Sequence, residues 1–145
     1  MSEKPTVLFL CTCNSARSQM AEGLLRHLAG ERFEVCSAGL EPKPVHPLAV
    51  AAMKALGIDI SKQESKDAKT YLGRKTIHHA IFVCAEAEKN CPRIYPFALQ
   101  VHSWPLPDPA AVKGCEESRL RAFCQVRDQM EGRITQWLNE LETFK

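Results

Sequence analysis

The sequence VLFLCTCNSARSQMAEGLL, residues 7–25, contains a strand, a short polar loop and the beginning of a helix. Its first four residues are apolar, as is typical of a strand inside a parallel sheet. From Met20 onward the apolar residues recur at helical spacing, which predicts a helix directly after the loop. Cys11 therefore lies where a strand passes into a helix N-terminus. Free backbone N–H groups and the helix dipole attract an anion there and lower the pKa of a thiol.

The loop after Cys11 has the composition needed to bind a tetrahedral oxyanion. This oxyanion loop (residues 12–17) consists of Thr12, Cys13, Asn14, Ser15, Ala16 and Arg17, whose N–H groups would surround the anion if the loop curls. Arg17 adds a planar fork that matches two oxygens, and Asn14 tolerates the left-handed backbone of a curled loop. Cys11 is the candidate nucleophile, and Ser18 can donate a hydrogen bond to its thiolate. The alternative is a core cysteine with a surface arginine nearby.

The rest of the chain continues the alternation of strands and helices. Its patterns predict strands at 6–10, 33–37, 80–83 and 101–104, and helices at 18–29, 47–56 and 115–141. The polar segment 61–79 predicts a short helix within loops, with His78 and His79 at the surface or leading into a strand. This order predicts one α/β domain over residues 1–145, with a doubly wound parallel sheet. Ligands of such sheets bind beyond the carboxyl ends of the strands.

The composition is that of an ordinary globular protein. Of 145 residues, 19 are basic and 17 acidic, for a formal net charge of +2. This balance argues against nucleic-acid binding, which needs a clustered basic excess. No apolar run reaches membrane-spanning length and residues 1–5 lack the layout of a signal peptide, so we expect a cytoplasmic protein that does not bind membranes. We expect its seven cysteines to be reduced thiols, and the protein to be a monomer.

Asp108 is a candidate general acid. It lies between Pro107 and Pro109, which stiffen the loop after the last predicted strand. Displacement at a tetrahedral centre requires a proton for the departing oxygen. The alternative is an ordinary turn aspartate.

Cys84 and Cys91 form a second candidate pair. If the residues between them are helical, their Cα atoms lie roughly 10 Å apart. A disulfide needs about 7 Å or less, so bridging them would require the segment to unwind. Cys84 could instead be a core residue, or the pair half of a zinc site, although no Cys-x2-Cys or Cys/His partner pair supports zinc.

These residues resemble the low-molecular-weight protein tyrosine phosphatase superfamily, and within it the thioredoxin-coupled arsenate reductases. The similar segments are residues 11–22, 37–39, 57–61, the strand leading to 84, 90–92 and 108–109. The Cys-x5-Arg-Ser pattern with a distant Asp-Pro is typical of the superfamily, and the two added cysteines are typical of the reductases. The resemblance implies a four-stranded parallel sheet flanked by helices.

The resemblance also implies a reaction, with no cofactor. Cys11 would attack arsenate held by the oxyanion loop and Arg17, while Asp108 protonates the departing hydroxyl. Cys84 would then attack Cys11, which releases arsenite and leaves a Cys11–Cys84 disulfide. Cys91 would attack Cys84, and thioredoxin would reduce the resulting Cys84–Cys91 disulfide. Phosphate and sulfate would mimic the substrate. The segment between these two cysteines is expected to be helical when reduced and looped when oxidised.

The sequence departs from the family pattern at several positions. Cys13 stands where glycine is usual, and Ala16 where some reductases have a further cysteine. Ala110 and Ala111 stand where phosphatases have aromatic residues that flank a phosphotyrosine ring, which favours a small inorganic anion.

Some family members bind potassium. Asn14, Glu22 and Ser37 match three of the ligands, but Lys66 stands in place of the fourth, an acid. We expect the ammonium of Lys66 to replace the cation, so no metal is expected. Of the remaining cysteines, Cys36 is expected in the core.

Two alternatives to arsenate reduction remain. One is a phosphotyrosine phosphatase, because phosphate and arsenate share shape and charge. The other is a non-catalytic sensor that binds arsenite through Cys11 and neighbouring cysteines, against which Arg17 and Asp108 argue. Cys115 and Cys124 are expected to be structural or surface thiols.

Overall fold

Strand β1, Thr6–Cys11, is an internal strand of the sheet, and all its residues are buried. The computed structural model of the protein describes residues 4–71, 76–90 and 98–143. Strand β1 pairs with β2, Glu34–Gly39, on one side and with β3, Ile77–Phe82, on the other. Strand β4, Ala98–Ser103, pairs with β3. The four strands are parallel, in the order β2-β1-β3-β4, which confirms the predicted α/β class and sheet.

Three helices match the predicted ones to within a few residues, a 3-10 turn replaces the short helix predicted within 61–79, and a short helix lies where one was expected only for the reduced protein. The helices are α1 (Arg17–Ala29), α2 (Pro47–Lys54), α3 (Ala85–Asn90) and α4 (Glu116–Thr143), with 3-10 turns at Ala68–Thr70 and Pro109–Ala111. Helix α4 packs against α1 and α2. Its buried side chains Phe123, Met130, Ile134 and Trp137 lie at the predicted helical spacing. No helix in the described part of the chain combines the length and hydropathy needed to cross a membrane.

The prediction that placed His78 and His79 at the surface or ahead of a strand was wrong, because both lie within β3. The Nδ1 atom of His78 accepts a hydrogen bond from the Thr6 N–H at 2.9 Å. His79 is buried, with Nδ1 3.1 Å from Nε2 of His102, and its ring packs edge-on against Trp137. Histidine rings that pair with each other behave here as core side chains, a property that their polarity hides in the sequence.

Candidate active site

The segments with predicted chemistry meet at the carboxyl edge of the sheet. Cys11 is the last residue of β1, and Cys84 follows β3 directly before α3. Arg17, the first residue of α1, donates from Nη1 to the carbonyl of Leu106 at 2.9 Å. That bond ties α1 to the loop after β4, which holds Asp108. The parallel arrangement therefore brings these four side chains to one end of the sheet, as the sequence predicts.

The oxyanion loop has its carbonyl groups engaged by neighbouring segments. The chain segment 41–46 donates backbone N–H groups to the carbonyls of residues 12, 13 and 15, at 2.8–2.9 Å. The side chains of Gln19 and Ser65 donate to the carbonyl of residue 14. Within each planar trans peptide, the N–H of the next residue points opposite to the carbonyl. With the carbonyls held outward, the following N–H groups turn inward and form an anion-binding concavity.

Asn14 holds this loop in shape. Its φ of 50° lies in the left-handed region, which confirms the prediction for this position. The side chain is fully buried and all its polar atoms are used. Nδ2 donates to Ser18 Oγ at 2.8 Å and to Ser37 Oγ at 2.9 Å, and Oδ1 accepts from the Lys66 N–H at 2.8 Å. One amide thus links the oxyanion loop to α1, to β2 and to the segment after α2.

The end of β2 approaches the oxyanion loop very closely at Gly39. A Cβ atom there would lie 2.8 Å from the nitrogen of Asn14 and 2.9 Å from the carbonyl oxygen of Thr12. Such distances leave no room for a side chain, so glycine is required by the close approach of two backbones.

Cys11 and Cys84 form a hydrogen-bonded pair of sulfurs. This hydrogen bond, with others from the Thr12 hydroxyl and the Ala87 N–H and with the charge of Arg17, lowers the pKa of Cys84 to about 4. The same bond and burial raise the pKa of Cys11 despite the opposite influence of Arg17, so the lowered pKa predicted for this thiol from its place before a helix is wrong. Two such close thiols titrate as a unit, and the opposite shifts favour the proton on Cys11 and the negative charge on Cys84.

A cavity of about 280 Å³ opens above Cys11. This anion cavity is lined by Cys11, Cys13, Ser15, Ala16, Arg17, Lys43, His46, Asp108 and Ala110. Arg17, Lys43 and the inward N–H groups make it electropositive, and of the two paired thiols Cys11 is the one that lines it. It therefore suits a small tetrahedral anion that approaches a nucleophilic sulfur.

Asp108 has both a structural and a chemical position. One carboxylate oxygen, Oδ1, accepts from the Ala110 N–H at 3.0 Å and caps the 3-10 turn Pro109–Ala111. The turn role proposed as the alternative therefore holds for this oxygen. The residue also lines the anion cavity, which puts an acidic group beside any ligand bound there.

The residues that match a potassium site form a closed network around Glu22. This buried carboxylate accepts from Ser37 Oγ at 2.5 Å and from Arg26 Nη2 at 2.7 Å. The ammonium of Lys66 lies 3.6 Å from the same carboxylate. Two cationic side chains thus neutralise the carboxylate.

The structure describes two of three further predicted site residues, and the third lies outside its described part. Ser18 is fully buried and accepts from Asn14, while its donation to the Cys11 thiolate stays a prediction. Cys13 is half-buried and lines the anion cavity. Cys91 lies outside the described residues, so the Cys84–Cys91 pair stays a prediction.

The remaining cysteines lie away from the chemistry. Cys36 is buried on β2, which confirms its expected place in the core. On and beside α4, Cys115 is exposed and Cys124 is half-buried. Among the described residues, no cluster of histidine, cysteine and acidic side chains is suited to hold a metal ion.

The sequence analysis missed the segment 41–46. This stretch between β2 and α2 positions the oxyanion loop through its backbone, and its side chains Lys43 and His46 line the anion cavity. Its only signal in the sequence was its position directly after a strand, at the edge of the sheet where ligands bind.

A thiol at the end of a strand, an inward ring of N–H groups and an adjacent arginine define an α/β protein that binds tetrahedral oxyanions in front of a nucleophilic cysteine. Comparison with known proteins gives a family for this class. The chain belongs to the low molecular weight phosphotyrosine protein phosphatase family, whose model matches residues 6–145.

Individual relatives are arsenate reductases. The chain is 41% identical to an arsenate reductase of Bacillus licheniformis over 134 residues, which cover 90% of this chain and 93% of the relative. A solved arsenate reductase in its phosphate-binding state is similar with a TM-score of 0.79 at 32% identity, over 94% of this chain and 98% of that one. A thioredoxin-dependent arsenate reductase of Corynebacterium glutamicum is similar with a TM-score of 0.73 at 26% identity, over 99% of this chain and 65% of that one.

Proposed function

We propose that this chain reduces arsenate to arsenite, as a cytoplasmic monomer that receives its electrons from thioredoxin. The observation that carries the proposal is the hydrogen bond between Cys84 and Cys11, the thiol that lines the anion cavity. A second thiol in contact with the nucleophile supplies an internal electron donor for reduction, which simple hydrolysis does not need. The similarity to arsenate reductases supports the same function.

The first step forms a bond between sulfur and arsenic. Arsenate binds to the inward N–H groups and Arg17, as a phosphate-like anion would. Cys11 passes its proton to Cys84 and attacks arsenic, and Asp108 gives a proton to the departing hydroxyl, which leaves as water. The product is a thioester-like adduct of arsenic(V) on Cys11.

The second step reduces arsenic. Cys84 attacks the sulfur of Cys11, so that a Cys11–Cys84 disulfide forms and the sulfur–arsenic bond breaks. The electron pair of that bond goes to arsenic, which leaves as arsenite and takes up the proton that Cys84 held. Two sulfur atoms are oxidised and arsenic gains two electrons, which balances the step.

The third step regenerates the enzyme. Cys91 attacks Cys84 and frees Cys11, and the dithiol of thioredoxin then reduces the Cys84–Cys91 disulfide. Residues Ala85–Asn90 are helical with Cys11 and Cys84 as free thiols, which agrees with the expected form of the reduced segment. Because a helix would hold Cys84 and Cys91 roughly 10 Å apart, α3 must unwind before this disulfide forms.

A coupled assay tests this function. We expect the protein, with thioredoxin, thioredoxin reductase and NADPH, to oxidise NADPH only when arsenate is added. The Cys84→Ser variant should lose this activity, whereas Cys124→Ser, at a half-buried thiol on α4, should keep it. Arsenate turnover that survives in Cys84→Ser would rule out the proposed route.

A phosphatase is the second candidate, because the oxyanion loop and Asp108 alone suffice for phosphate ester hydrolysis. Any hydrolysis of an aryl phosphate should survive in Cys84→Ser, which separates the two activities. Ala110 rather than an aromatic ring lines the anion cavity, and this favours the inorganic substrate. A sensor of arsenite would need neither Arg17 nor Asp108.

We also propose that Lys66 takes the place of a potassium ion. Its ammonium lies near Glu22, and its backbone N–H binds Asn14, the residue that shapes the oxyanion loop. A cation built into the chain supplies the charge that a bound ion would supply, so potassium should leave turnover unchanged.

A further inference from the structure

His46 lies at the junction of α2 and the oxyanion loop, and one of its ring nitrogens is committed there. It is the N-cap residue of α2, and its Nδ1 accepts a hydrogen bond from the Leu48 N–H at 3.1 Å. An amide N–H can only donate, so Nδ1 carries no proton. The neutral ring therefore bears its proton on Nε2.

The ring of His46 is also fixed in place. Its backbone N–H donates to the carbonyl of Ser15 at 2.9 Å, which ties it directly to the oxyanion loop. The buried ring of Phe123 on α4 packs against it, with 4.7 Å between the ring centres. His46 also lines the anion cavity, and with Nδ1 engaged at the helix, Nε2–H is the remaining polar group of its ring.

Burial, more than the charges that face it, favours the neutral form of His46. Burial and the guanidinium of Arg119 lower its pKa, and the carboxylate of Asp108 acts in the opposite direction. The imidazole is therefore uncharged at neutral pH, beside the carboxylate that serves as the proposed acid. The capping role alone does not explain a histidine, since serine, threonine, aspartate and asparagine are the preferred N-cap residues.

We propose that His46 contacts the bound oxyanion, donating from Nε2 to its outward oxygen, the oxygen on which Asp108 acts. The anion in the oxyanion loop directs three oxygens toward the loop N–H groups and Arg17, and the fourth toward the mouth of the cavity. There His46 supplies a fixed, uncharged hydrogen-bond donor that holds this oxygen for protonation. This inference deepens the proposed function and rests on it for the identity of the substrate.

Two amide substitutions distinguish the role of Nδ1 from the role of Nε2. His46→Asn keeps an acceptor in the place of Nδ1 and so keeps the helix cap, but has no group in the place of Nε2. His46→Gln extends an amide N–H to about the place of Nε2. The probe is inorganic phosphate, whose dissociation constant is measured on the reduced protein as protection of Cys11 against alkylation, alongside the unfolding temperature without phosphate.

We expect His46→Asn to weaken phosphate binding by about tenfold or more, as expected for a lost hydrogen bond to a charged group, without lowering the unfolding temperature. His46→Gln should bind phosphate within about threefold of the unsubstituted protein, on the same scale. Unchanged binding in His46→Asn would overturn the inference. Equal weakening in both variants would overturn it too, since the distal N–H would then not be the cause.

The same experiment, together with the arsenate assay, distinguishes failure of the role of His46 from failure of the proposed function. If the unsubstituted protein does not reduce arsenate but His46→Asn alone loses phosphate affinity, the arsenate reductase proposal fails and the role of His46 stands. If arsenate is reduced and His46→Asn binds phosphate normally, the role of His46 fails alone.

Discussion

Asp108 shows how one side chain serves both structure and chemistry. Its Oδ1 caps a short turn by accepting from the Ala110 N–H, and the side chain lines the anion cavity with Cys11. The turn fixes the carboxyl group beside the anion cavity. A residue that is partly a turn former is therefore better placed as an acid than a flexible one.

Replacing Asp108 by asparagine separates these two roles. The amide oxygen can still accept from the Ala110 N–H, so the unfolding temperature should stay unchanged. The proton for the departing hydroxyl is lost, and arsenate turnover should fall by about 10²–10⁴-fold. The measurement is kcat in the coupled assay together with thermal unfolding. Turnover within threefold of normal would show that the proton comes from elsewhere.

At the scale of elements, the site depends on how β2 meets the oxyanion loop. Gly39 ends β2, and its backbone lies against the peptide groups of Thr12 and Asn14. The loop is thus held from below by a strand end and from outside by segment 41–46. Its shape is a property of three chain segments, of which only one contains the cysteine.

We therefore expect Gly39→Ala to damage the site through the backbone alone. The added methyl group would lie 2.8 Å from the nitrogen of Asn14 and must push the loop away. Overpacking of this kind costs about 1–3 kcal/mol of unfolding free energy. Denaturant unfolding and phosphate affinity should both decline. Gly132→Ala, on α4 with open space around the added carbon, provides the control and should keep phosphate affinity with unfolding free energy unchanged or raised by about 1 kcal/mol, because alanine favours a helix. Full phosphate affinity in Gly39→Ala would contradict this account.

At the scale of the whole molecule, a cluster of rings joins the sheet to α4. His79 on β3 and His102 on β4 share a hydrogen bond, and the rings of Trp104 and Trp137 surround His102. Burial, with the proximity of His102, lowers the pKa of His79 to about 4. The cluster is packed around uncharged imidazoles, so its stability depends on their remaining neutral.

This cluster predicts how stability depends on pH. An unfolded histidine titrates near pH 6.5, while folded His79 does so near 4. Between these values the unfolded chain binds more protons, so the contribution is complete above pH 6.5 and is lost as the pH falls toward 4. Allowing for solvent, the loss is about 1–3 kcal/mol. Denaturant unfolding between pH 7 and 4.5 measures it.

Substitution of His79 tests whether this histidine causes the pH dependence of stability. His79→Gln keeps a hydrogen-bonding group beside His102 and should flatten this slope. His27→Gln, at an exposed position on α1, should leave the slope as it is. An equally steep slope in His79→Gln would assign the effect to other groups.

Features of the fold and site that depend on one short segment could be predicted from the sequence. The oxyanion loop, the left-handed Asn14 and the apolar face of α4 were predictable, because each depends on residues within one short segment. The order of the strands along the chain also places Cys11, Cys84 and Asp108 at one edge, since parallel strands end together.

Features that depend on distant segments were not predictable. The burial of His79 requires His102 and Trp137, from other elements, so its own neighbours in the sequence suggest a loop. The role of segment 41–46 is carried by backbone groups, which any sequence possesses. From the sequence, His46 could be predicted only as a residue before a helix, because its place in the anion cavity depends on distant segments.

In the proposed reaction, Cys84 attacks Cys11 and thereby reduces arsenic. A single turnover of the Cys91→Ser variant tests it most directly, because the reaction should stop after the second step. With one equivalent of arsenate, the account predicts one equivalent of arsenite and a Cys11–Cys84 disulfide in the peptide map by mass spectrometry. Arsenite without that disulfide, or a disulfide between Cys11 and Cys13 in its place, would contradict the account.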